Sequence, residues 1–192
     1  AFADKAIGEL LGLKTNARLL LSLKNELPML AEAAPNVFLL ALEQMLEGEG
    51  AAIRPIFDEA EGLAFPTSRH TGVLWALETL AWDPRRLRRV AMILTRLAEI
   101  DPGGRLANRP DASLADIFLP WHPGTHAPAD VRLAVIDDIV AAHPKVGWPL
   151  LLRLLPDEMR TTSGTARPRL READVPAPQL THRDLALTYD AL

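Results

Sequence analysis

Val73-Leu-Trp-Ala-Leu-Glu-Thr-Leu-Ala-Trp82 runs into Asp83-Pro84 and restarts as Arg85-Arg-Leu-Arg-Arg-Val-Ala-Met-Ile-Leu-Thr-Arg-Leu-Ala-Glu-Ile100, and this stretch decides the fold class. Over residues 71–82 Glu78 is the one strongly polar side chain, so the spacing predicts a helix apolar nearly all round, sandwiched by neighbours on more than one face. Asp83 is a helix cap and Pro84 a first-turn residue. Beyond them Leu87, Val90, Ala91, Leu94, Leu97 and Ala98 fall at helical spacing on one stripe. Two apolar helices joined by a proline reset are the grammar of antiparallel helix pairs.

The same pattern extends both ways. Residues 6–14 and 16–27 read as helices, followed by a short helical turn at 29–33 after Pro28. Asn36 is expected to cap a helix over 37–46 that Gly48 and Gly50 end, and residues 51–60 read as a further short helix containing Pro55. Downstream, helices are expected at 128–142, 146–155 and 181–192. Between them lie two irregular insertions, 105–129, which includes a short apolar helix around 114–119, and 156–179. Ile117, Phe118, Leu119 and Trp121 are the candidate pins of the first, whereas the second is longer than compact connections usually are. No alternating run supports a strand. The expected fold is all-α: an irregular stack of antiparallel helix pairs, α-solenoid-like or a right-handed superhelix, forming a single domain over residues 1–192. A globular helical bundle is the alternative.

A chain of 192 residues with 48% hydrophobic and 24% charged residues buries a sizeable core without staples. Its net charge of -4 disfavours a dedicated nucleic-acid binder. The absence of cysteine removes disulfides and thiol chemistry, and with no membrane-spanning run and no signal-peptide pattern the expected location is the cytoplasm. The chain starts without Met and ends on Leu187-Thr-Tyr-Asp-Ala-Leu192, a helical pattern still in progress, which suggests an excerpt of a longer polypeptide.

No catalytic motif stands out. Gly103-Gly104 lacks the lysine of a phosphate loop and reads as a helix end. His122 and His126 sit in a Pro-Gly turn rather than on a scaffold for metal, and Asp137-Asp138 diverge around a helix. Glu78, if buried, is expected to need an Arg or Lys partner. Arg85, Arg86, Arg88 and Arg89 crowd the start of a helix, the end where the macrodipole favours anions, and Arg160, Arg167, Arg169 and Arg171 form a second basic cluster late in the chain.

Residues 73–82, Leu97-Ala-Glu-Ile-Asp-Pro-Gly-Gly104, Asn108-Arg-Pro110, Ile117-Phe-Leu-Pro-Trp121 and Val146-Gly-Trp-Pro-Leu-Leu-Leu-Arg-Leu-Leu-Pro156 together resemble an α-solenoid-like (HEAT/TPR-like) helical region of large bacterial multidomain proteins, over about residues 28–171. The resemblance implies a non-enzymatic scaffold or sensing region that meets a protein partner or flanking domains, and it carries over no catalytic residue or cofactor. Arg85, Arg88, Arg109, Trp121 and Arg169 are the candidate contact residues. Nucleic-acid binding through the Arg-rich helix start and late loop is the alternative, and an all-α enzyme built around Glu78 and a histidine ranks last.

Overall fold

The computed structural model describes residues 2–10, 12–58, 69–156, 161–162, 164–170 and 180–192. Among these the chain is all-helical, with ten α-helices and no strand. They are α1 Phe2–Gly8, α2 Ala17–Ser22, α3 Leu27–Ala33, α4 Pro35–Met45, α5 Thr71–Ala81, α6 Pro84–Ile100, α7 Pro110–Phe118, α8 Ala129–Ala142, α9 Pro144–Leu154 and α10 His182–Ala191. The main helix contacts run between helices one or two places apart in this order: α3 on α5, α5 on α6, α6 on α7 and α8, α7 on α9, and α8 on α9.

The α5–α6 pair forms as its sequence dictates. Gly72 to Ala81 are buried except Trp75, and Asp83 caps α6 by accepting the Arg85 N–H at 3.0 Å. Leu87, Val90, Ala91, Leu94 and Leu97 then bury the inner stripe of α6 in a cluster that reaches from Ile7 to Leu154. Close approach is bought with glycine where α5 begins: a Cβ on Gly72 would collide with the Lys24 carbonyl oxygen.

Several local expectations are corrected. The stretch 16–27 is one short helix and a turn, because Asn16 caps at Ala17 and the chain turns again before Leu27. Pro28 opens α3 instead of preceding it, since its missing N–H lies in the first turn. Asn36 caps nothing: α4 starts one residue earlier at Pro35, and the Asn36 amide oxygen instead accepts from Arg89 at 3.4 Å. Over 51–58 Pro55 permits only turns and the 3-10 helix Arg54–Phe57, while residues 59 and 60 lie outside the described ones.

The short helix expected around 114–119 in the first insertion is α7, which begins earlier, at Pro110, and ends at Phe118. Ile117, Phe118 and Leu119 pin it as expected, but Trp121 stays 39% exposed. Within the second insertion, residues 164–170 run without regular structure across α3 and α5, as a strap whose hydrogen bonds are made to buried side chains.

Candidate protein-binding surfaces

Along α6 the outer face carries the arginines that the sequence singles out. Arg85 and Arg88 are strongly exposed, with 83% and 70% of their side chains accessible. Each is answered by an acid of the same chain. Arg85 grips Asp83 through Nε and Nη2 at 3.0 and 2.8 Å, Arg86 also reaches Asp83, and Arg88 Nε donates to Asp138 at 2.7 Å. These donors hold the Asp83 carboxyl below the usual carboxylate range, with the Arg85 side-chain hydrogen bond the main cause. Asp83 and Asp138 thereby offset two of the three positive charges of Arg85, Arg86 and Arg88. One turn further, Arg89 forks onto both oxygens of Glu43 at 2.9 and 2.8 Å, and Arg96 donates to the Leu46 and Gly48 carbonyls past the end of α4.

Between α4 and α6 these side chains rim a groove of about 540 Å³ whose lining includes Leu46, Met92, Ile93 and His143. An apolar floor under a guanidinium rim is the composition expected of a surface that accepts an amphipathic segment with acidic edges.

The other three candidate contacts lie elsewhere. Arg109 is buried and donates to Asp101 at 3.0 Å, so it is a structural ion pair and offers no guanidinium to a partner. Trp121 stacks edge-on against His122. Arg169 belongs to the strap: its side chain is exposed while its N–H is held by Glu32. Arg160 and Arg171, the outer members of the late basic cluster, lie outside the described residues.

Glu78 is buried, and its partners differ from the cation expected of it. Among the described residues it takes the Ser113 hydroxyl at 2.6 Å and the Ala166 N–H at 2.8 Å. Burial pushes its carboxyl above the ordinary range, against the opposing pull of these two donors, and Asp116 nearby raises it further. Glu32 is buried as well, and its carboxylate receives the Arg169 and Leu170 N–H groups. Trp82 completes the set by donating its indole N–H to the Ala166 carbonyl. Glu32 and Trp82 carried no sequence signal, because an acid on an amphipathic helix and a Trp at a helix end are ordinary there.

No group of three or more His, Cys, Asp or Glu arranged to hold a metal occurs among the described residues, and no helix there is long and apolar enough to cross a membrane. His126 packs against Trp82 with ring centroids 5.0 Å apart, where burial first and Arg167 second hold its pKa down. No family model, no curated protein and no solved structure matches the chain.

Proposed function

We propose that the chain is a helical scaffold or sensing region that mediates protein–protein interaction within a larger bacterial protein, with no chemistry of its own. The supporting observation is the groove between α4 and α6, where Arg85, Arg88, Arg89 and Arg96 stand around a floor of Leu46, Met92 and Ile93. Surface ion pairs of this kind are worth little to stability, about 0 to 1 kcal/mol each. Their arginines can therefore be handed from an intramolecular acid to a partner's acid at small cost. An α-solenoid-like stack of helix pairs, the arrangement we propose for this all-α chain, would suit this role by presenting extended surfaces.

The deciding experiment compares the wild-type chain with an Arg85→Glu, Arg88→Glu double variant as bait for partner proteins. A specific partner lost by the variant, with helicity unchanged, supports the groove; a partner retained in full removes it. Nucleic-acid binding through the same arginines is the second reading. It predicts affinity for a DNA duplex that falls steeply as salt rises from about 50 to 200 mM, and absence of binding at the lower salt ends it.

A further inference from the structure

Residues 164–170, Gly-Thr-Ala-Arg-Pro-Arg-Leu, are held chiefly by their main chain. Ala166 gives its N–H to Glu78 at 2.8 Å, and its carbonyl accepts the Trp82 indole N–H at 2.8 Å. Arg169 and Leu170 give theirs to the Glu32 carboxylate at 2.8 to 3.1 Å. Pro168, which has no N–H, stands between these contacts. The Arg167 guanidinium lies 4.8 Å from the centre of the Trp82 ring, a cation–π contact. At the other end Thr165 packs where Gly124 has no side chain, since a Cβ there would come within 2.5 Å of its hydroxyl oxygen.

Such an arrangement reads the main chain of an irregular segment, with selection for a small residue, then Arg, then Pro. The Trp82 face under Arg167 favours a cation at that position, and an aromatic face beside a proline-containing segment is a recurrent mode of peptide capture. The groove also exceeds what the strap fills. An open volume of about 570 Å³ lies along it between α3 and α5, bordered by Met29 and Trp75, which are 40% and 48% exposed. Trp75 is the one exposed side chain from Gly72 to Ala81.

We propose that Glu32, Glu78 and Trp82 form a recognition groove for a segment of a partner protein carrying a small residue followed by Arg-Pro, and that residues 164–170 occupy this groove in cis. The site is separate from the α4–α6 surface and does not depend on that reading. A tethered occupant competes at an effective concentration in the millimolar range, so the partner segment binds well only where the strap is loosened.

The test uses the full chain and a labelled heptapeptide with the sequence of residues 164–170, followed by fluorescence anisotropy. In an Ala166→Pro, Arg169→Pro variant two of the strap's N–H donors are gone, and the peptide is expected to bind at least about tenfold more tightly than to wild type. Replacing both peptide arginines by glutamate, or adding Trp82→Phe to the variant, should lower that affinity about tenfold or more. Arg85→Glu with Arg88→Glu should leave it unchanged, which separates this groove from the other surface. Should the proline variant not fold, Arg167→Ala, which removes the cation–π contact with Trp82, loosens the strap instead. A folded, loosened variant that ignores the peptide up to about 1 mM overturns the proposal. So does equal binding of the glutamate-substituted peptide. A loosened chain that dimerises without taking up peptide overturns it as well, in favour of a second copy as the occupant.

Discussion

Trp82 and Ala166, 84 positions apart in the chain, are joined by a 2.8 Å hydrogen bond from the indole Nε1 to the carbonyl oxygen. The bond ties the end of α5 to a segment that follows four further helices, and it converts part of a long polar connection into a strap over the core. Trp82→Phe keeps most of the buried ring and removes only the donor. The expected loss is about 1 kcal/mol in urea unfolding, with amide exchange faster in residues 164–170 and unchanged in α6. Uniform loss of protection across the molecule would contradict a local role.

Glu78 gives stability a definite pH dependence. Its carboxyl is raised in the folded protein, so the native state takes up a proton more readily than the unfolded chain. Its contribution is therefore most favourable below the unfolded value of about 4.3 and is lost as pH rises through the higher folded value. Glu78→Gln removes this titration while keeping an amide oxygen for Ser113 or Ala166. Urea midpoints of the variant relative to wild type should rise with pH across that window; a constant difference would show that Glu78 does not titrate there.

His126 acts with the opposite sign. Burial, aided by Arg167, lowers its pKa, so the folded protein favours the neutral ring. Its contribution is complete above the unfolded value of about 6.5 and declines as pH falls through the lower folded value. In His126→Gln the decline in stability between about pH 7 and 5 should be shallower than in wild type, as followed by thermal melting. A variant with the wild-type slope would assign that decline to other groups.

Arg109 and Asp101 form a buried pair at 3.0 Å. Removing one partner leaves a charge without its counter-ion, so Arg109→Met should cost about 3 kcal/mol. Arg109→Met with Asp101→Asn should recover part of that loss, because no uncompensated buried charge is left at the pair. Equal destabilisation of the single and double variants in a denaturant series would show that packing, not charge, sets the cost.

The sequence by itself determined what depends on short-range chemistry. The apolar run before Trp82, the Asp83-Pro84 cap and the stripe from Leu87 to Leu97 specify two helices wherever they are placed, because capping and helical periodicity act within a few residues. Where several weak signals competed, local reading failed. Pro28 and Pro35 each fit a helix start as well as a stop, and Asn36 lost its capping role when Pro35 took the first turn. The distant partners of the charged groups were decided only by tertiary structure. Arg88 meets Asp138 fifty positions away, and Arg89 meets Glu43 at a distance of 46. Glu78 finds Ser113 and the Ala166 N–H instead of a cation. A buried carboxylate needs donors, but its own sequence neighbourhood does not say whether they come from a guanidinium, a hydroxyl or a passing backbone. That choice rests on which segments the packed helices bring together, and here it was the strap.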